Sequence, residues 1–120
     1  MIGIDLVEVQ RINEAIIKNE NFLYKILTQK EIEYVNSFQN KESHTAGFFA
    51  CKEAVMKALE NCKKISFTDI EILHKESGKP YIKLYGEAKC VFEQCDLNKI
   101  EVSISQDKNY ATAICVINKN

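Results

Sequence analysis

The stretch SHTAGFFACKEAVMKALENC, residues 43–62, decides the fold class. It holds no Pro, and Ala, Lys, Glu, Met and Leu, all good helix formers, dominate it. Ala46, Phe49, Ala50, Ala54, Met56, Ala58 and Leu59 fill much of its surface, so the spacing predicts a long central helix. Working outward, Ile2–Val9 is rich in Ile, Leu and Val and reads as a first strand. Helical spacing follows over Val9–Lys18, with a short turn over Asn21–Ile26. Thr28 with Glu31 three residues on is a capping box that opens a helix over Gln29–Phe38. Beyond the central helix, Asp69–His74 and Pro80–Leu84 form a hairpin around Lys75-Glu76-Ser77-Gly78-Lys79. Gly86–Cys95 has an amphipathic helical pattern. A second hairpin closes the chain, Ile100–Ser105 and Tyr110–Ile117 around Asp107-Lys108-Asn109. The expected fold is α+β, one domain over residues 1–120, with helices packed on an antiparallel sheet.

Composition narrows the function. The chain has 120 residues, 16 basic and 17 acidic side chains, and 46% hydrophobic content, which suits one ordinary globular domain. A near-zero net charge argues against bulk nucleic-acid binding. Arg11 is the only Arg, so bidentate phosphate grips are scarce and Lys must act as a point charge. Five Cys, an odd number without a CxxC pair, read as free buried thiols rather than a zinc site or a disulfide framework. No basic leader precedes the first apolar run, and nothing approaches the ~20 apolar residues of a membrane span, so a cytoplasmic protein is expected.

Three features carry chemistry. Asp5 interrupts an apolar strand and shares a strand face with Gly3 and Val7. A carboxylate there either meets a metal, a Lys or backbone donors, or simply sits at a strand end and meets water. Glu53 and Lys57 stand at i and i+4 on the central helix, beside Lys52. Such a pair is commonly a surface salt bridge, but here it is embedded in an apolar helix. Ser77-Gly78-Lys79-Pro80 could aim N–H groups and a cation at an anion, or be an ordinary turn. His44 and His74 sit in no catalytic or ligating arrangement and read as structural or surface residues.

These pieces together resemble the holo-acyl-carrier-protein synthases, small bacterial phosphopantetheinyl transferases. Gly3-Ile4-Asp5-Leu6 with Val9-Gln10-Arg11-Ile12 is similar to the family's opening. Phe49 to Leu59 resembles its signature helix, F-A-x-K-E-A-x-x-K-A, and Gly78-Lys79-Pro80 its hairpin. Val102-Ser103-Ile104-Ser105 and Tyr110-Ala111-Thr112-Ala113 resemble the closing strands. The resemblance implies transfer of the 4′-phosphopantetheine of coenzyme A to a serine of apo-acyl carrier protein, with Mg²⁺ held by Asp5 and Glu53. It implies Lys57 at the leaving phosphate. Lys52, Gly78, Lys79, Pro80 and Ser105 would line coenzyme A. Glu33 would be an acidic group near a metal-bound water, and Arg11, Lys18 and Lys25 would face the carrier protein. It also implies a homotrimer with sites at subunit interfaces. Two positions depart from the pattern: Gln106 stands where the family usually has His, and Phe48 where a basic residue is common. Gln cannot accept a proton at neutral pH. A catalytically degenerate binding module is the alternative those departures leave open, and a purely structural domain is a third.

Overall fold

A computed structural model describes residues 1–60 and 64–120. β1 (Ile2–Glu8) runs directly into α1 (Val9–Lys18), followed by α2 (Asn21–Ile26), α3 (Gln29–Asn36) and the long α4 (Lys41–Leu59). A 3₁₀ turn, Phe67–Asp69, leads to β2 (Ile70–His74), then β3 (Pro80–Leu84), α5 (Gly86–Gln94), β4 (Leu97–Gln106) and β5 (Tyr110–Lys119). The α3 capping box is present in full: Glu31 N–H donates to Thr28 Oγ1, and Thr28 N–H donates to Glu31 Oε1 at 2.8 Å. The closing hairpin turns on Asp107, whose Oδ1 accepts the N–H groups of Asn109 and Tyr110. No helix among the described residues is long and apolar enough to cross a membrane.

The single sheet expected from the sequence divides in two. β1-β5-β4 form one antiparallel sheet and β2-β3 a separate ladder. Alternation marks each hairpin, but it says nothing about which hairpins join. The central helix begins two residues earlier than its apolar pattern and ends at Leu59; Cys62 lies outside the described residues.

Strand register sorts the larger sheet into two faces. Gly3, Cys115 and Val102 form one inward row, Asp5, Ala113 and Ile104 the next, and Val7, Ala111 and Gln106 the third. α4 lies across these rows, with Ala50, Ala54, Val55, Ala58 and Leu59 fully buried or nearly so. The outward rows carry Ile2, Ile4 and Leu6, each more than 60% exposed, beside Ile114 and Val116.

The helix can sit this close because Gly3 has no side chain. A Cβ there would stand 1.9 Å from the Ala54 carbonyl oxygen and 2.8 Å from the Ala58 nitrogen. Both are backbone atoms, so no rotamer change relieves the clash.

α4 also buries a charge. Lys52 is fully enclosed; its ammonium donates to Glu31 Oε1 and to the Ile26 carbonyl, both at 2.6 Å. Glu31 Oε2 accepts the Ile72 N–H at 2.8 Å, so the pair ties α4, α3, the end of α2 and β2 together. Burial pulls the Lys52 ammonium below its ordinary value, and the Glu31 carboxylate opposes that shift.

Two stability predictions follow from this packing. Gly3→Ala is expected to lower unfolding free energy by about 1–3 kcal/mol in urea denaturation, the usual cost of overpacking. Lys52→Met leaves Glu31 charged and unpaired in the core and is expected to cost about 3–5 kcal/mol. The double variant Glu31→Gln/Lys52→Met removes both charges and should recover part of that loss in the same measurement.

Candidate active site

The inward row at Asp5 meets α4 where the helix presents Glu53 and Lys57. These two stand one turn apart on one face, and Gly3 sets the distance between that face and β1. The Lys57 ammonium donates to Asp5 Oδ1 at 3.1 Å and to the Ile4 carbonyl at 2.9 Å. Thr112 Oγ1 donates to the Asp5 carbonyl at 2.7 Å and fixes the strand from the β5 side. Burial pushes the Glu53 carboxyl above the ordinary carboxylate value; the Asp5 charge pushes it further, and Lys57 pulls it back. Two carboxylates therefore share one ammonium in a partly dry corner, with a surplus of negative charge. The Asp5 side chain is 17% exposed and that of Lys57 53%, so the corner opens to ligand.

A cleft of about 400 Å³ lies beside this corner, lined by Leu6, Val7, Glu8, Arg11, Ile12, Phe49 and Tyr110. Arg11 is the cation of this cleft. Lys18 and Lys25 are exposed at the ends of α1 and α2.

The hairpin residues stand elsewhere in the chain. Gly78 adopts φ +89° at the β2–β3 turn, where its N–H donates to the Lys75 carbonyl at 2.8 Å. Lys79 is exposed beside it and its charge reaches Glu101 on β4. Pro80 opens β3 opposite His74. Ser105 faces outward, in the row with Thr112 and Leu6, and lines a smaller cleft with Gln106 and Tyr110. Neither group is bonded to the Asp5 corner in this chain.

One assignment is corrected. Lys52 cannot neutralise a nucleotide phosphate, because its ammonium is 0% exposed and spent on Glu31 and Ile26. Glu33 is exposed on α3, and the charges acting on Glu53 within this chain are Asp5 and Lys57. The carboxylate of α3 that turns inward is Glu31, two residues earlier, and it serves the core. The thiols also divide: Cys51 and Cys115 are buried, the latter pushed up to about 12 by burial, whereas Cys90 and Cys95 are exposed.

His44 and His74 join an aromatic cluster. His74 stacks on Tyr34 at 4.1 Å, and Phe48 lies parallel to Tyr34 at 5.6 Å. His44 stacks on Phe38 at 3.9 Å, and its Nδ1 lies 3.2 Å from Gln106 Nε2. Sequence reading treats these residues singly. Their only shared signal is aromatic character on α3, α4 and β2.

Comparison with known proteins follows the geometry. The ACPS family, described as the 4′-phosphopantetheinyl transferase superfamily, matches residues 1–115. The chain is 43% identical over 116 residues to a holo-[acyl-carrier-protein] synthase of Thermoanaerobacter sp. strain X514, covering 96% of this chain and 84% of that one. It is 41% identical to the synthase so named from Fusobacterium nucleatum, covering 97% and 96% of the two chains. The crystal structure of the Helicobacter pylori synthase in complex with coenzyme A is similar with a TM-score of 0.85 and 36% identity, over 98% of this chain and 100% of that chain. The chain belongs to the 4′-phosphopantetheinyl transferase superfamily.

Proposed function

We propose that the protein transfers the 4′-phosphopantetheine of coenzyme A to a serine of apo-acyl carrier protein, releasing adenosine 3′,5′-bisphosphate. The observation that carries the reading is the convergence of Asp5, Glu53 and Lys57 from a strand and a helix far apart in sequence. Relatives named as holo-[acyl-carrier-protein] synthases match nearly the whole chain and support it. The coenzyme A complex of a similar fold supports the donor.

The residues of the corner fit a divalent cation. Asp5 and Glu53 are hard oxygen donors whose mutual repulsion a cation would relieve. Two carboxylates would hold Mg²⁺ with phosphate and water as its remaining ligands. Bound there, the ion supplies charge neutralisation at the pyrophosphate.

The chain's own groups then act by position and charge. The serine Oγ forms a bond to the β-phosphorus as the bond to the bridging oxygen breaks, and the serine proton passes to solvent water. Negative charge grows on the departing 3′,5′-bisphosphate. The Lys57 ammonium, steadied by the Ile4 carbonyl, donates to that oxygen. Arg11 lines the adjoining cleft, where an acidic carrier protein would meet it, with Lys18 and Lys25 exposed on α1 and α2. Gly78, Lys79, Pro80 and Ser105, apart from the corner in one chain, fit coenzyme A contacts contributed by another copy. The outward row of Ile2, Ile4 and Leu6 beside Val116 is an apolar face of the kind that self-association covers. It supports self-association, for which the family resemblance implies a homotrimer.

Mass spectrometry of apo-carrier incubated with the protein, coenzyme A and Mg²⁺ tests the function; binding without a phosphopantetheine gain refutes it. Glu53→Gln is expected to abolish the gain, and Asp5→Ala likewise. The sign of the stability change is opposite. A carboxyl with a raised folded-state pKa contributes stability at low pH that is lost as pH rises through that value. Near pH 7 the ionised Glu53 is therefore a cost, and Glu53→Gln should melt at the same or a higher temperature than wild type. Mg²⁺ with coenzyme A should raise the melting temperature of wild type and not of Glu53→Gln. Ile4→Glu on the outward row is expected to shift sedimentation from trimer to monomer.

A further inference from the structure

The two sheets meet without joining. β3 and β4 lie side by side but share no ladder, and α5 packs on β4 beside the seam. A groove of about 470 Å³ opens there, larger than the cleft beside Asp5. The proposed transfer makes no use of it.

The floor of the groove is apolar. Ile82 and Leu84 from β3, Phe92 from α5 and Ile100 from β4 are each half-buried, packed against the main core and lining the groove. The rim is cationic. Lys83, Lys89 and Lys99 line it against one carboxylate, Glu93. We propose that this groove binds a long-chain alkyl carboxylate, with the chain along the four apolar side chains and the head among the three ammonium groups.

Charge complementarity names the head. Lys89 and Glu93 stand at i and i+4 on α5 yet make no ion pair, and Lys89 has no salt-bridge partner among the described residues. Lys99 bonds Glu101 at 3.1 Å with both side chains open to solvent, a pairing that contributes little and yields readily to a second anion. Lys83 lies 5.3 Å from the centre of the Tyr85 ring and keeps its charge uncompensated there. The bond from Lys99, with Lys79 and Lys75 behind it, holds the Glu101 carboxyl below its ordinary value, so the positive field extends past the end of the groove. Separate ammonium groups with no guanidinium fork suit a small, singly charged head.

Size names the tail. Nine residues line the groove, whereas a stable protein interface takes about 20–30 a side, so a protein partner would find too little to hold. The volume lies inside the range of small-ligand sites, about 300–1,000 Å³. An alkyl chain is narrow enough for a groove walled by one nine-residue helix, and every methylene it buries adds to affinity. The groove also stands clear of the outward apolar row suited to self-association. That row lies on β1 and β5, and β4 is the opposite edge strand.

Calorimetric titration of the intact protein with octanoate, decanoate and dodecanoate, each below its micelle concentration, tests the assignment. One site per chain is expected. Each added methylene should tighten binding about two- to fourfold, the range between half and full burial of a CH₂. Lys89→Glu/Lys99→Glu changes two exposed side chains and should weaken dodecanoate about tenfold, while uncharged dodecanol stays within about twofold of wild type. Dodecyltrimethylammonium, with the same tail and the opposite charge, should bind at least about tenfold more weakly than dodecanoate. Equal affinity along the chain series, equal affinity for the cationic amphiphile, or several equivalent sites per chain overturns the assignment. No uptake at millimolar dodecanoate, as when a second copy of the chain fills the groove, overturns it too. Binding is read here and not turnover, so its failure leaves the proposed transfer standing, and a protein without transfer activity can still pass this test.

Discussion

The absence of a side chain at Gly3 governs the rest of the molecule. Main-chain atoms of α4 lie where a Cβ would be, so the helix and β1 meet backbone to backbone. That approach puts Glu53 and Lys57 within reach of a carboxylate only two residues along the strand. With even a methyl group there the helix would have to lift, and three charged groups would separate. A residue with no functional group thus sets the distance between those that have one.

One helix carries charge in two different ways. Toward α3 it buries Lys52 against Glu31, where every hydrogen-bonding atom of the pair has a partner and the ammonium is shut away from solvent. A pair like that fixes geometry, since a buried charge tolerates only one arrangement of donors and acceptors. Toward β1 it presents Glu53 and Lys57 to Asp5 in a corner where carboxylates outnumber cations. That imbalance is what supports the divalent cation proposed there. The adjacent positions 52 and 53 therefore have unrelated tasks, which a one-residue step of 100° around the helix is enough to separate.

Much of this was readable before any coordinates. Thr28 and Glu31 announce the start of α3, the alternation of Val102 and Ile104 announces β4, and the break in apolar character at Asp5 announces a carboxylate that meets a Lys. Helical spacing puts Glu53 and Lys57 on one face without further help. What could not be read is what faces each side of α4. Lys52 looks like a surface cation because its partner lies 21 residues away on another helix. Glu33 is singled out by the family resemblance alone, whereas capping explains Glu31 locally and hides its second task in the core. The split of the sheet and the meeting of Gln106 with His44 depend on contacts between distant segments, for which periodicity carries no information.

The Ile4 carbonyl held by Lys57 has a further consequence. β1 is the terminal strand of its sheet, paired on one side only, and alternates apolar residues along its length. Open strands of that kind recruit other chains by adding to the ladder. An ammonium resting on a main-chain acceptor in the middle of β1 is a guard against such growth. The side chain to which a part in the transfer is proposed thus also blocks edge-to-edge joining of chains. A substitution at Lys57 that lowers turnover can do so partly by removing protein from solution, and soluble yield has to be known before its kinetic effect is read as chemistry.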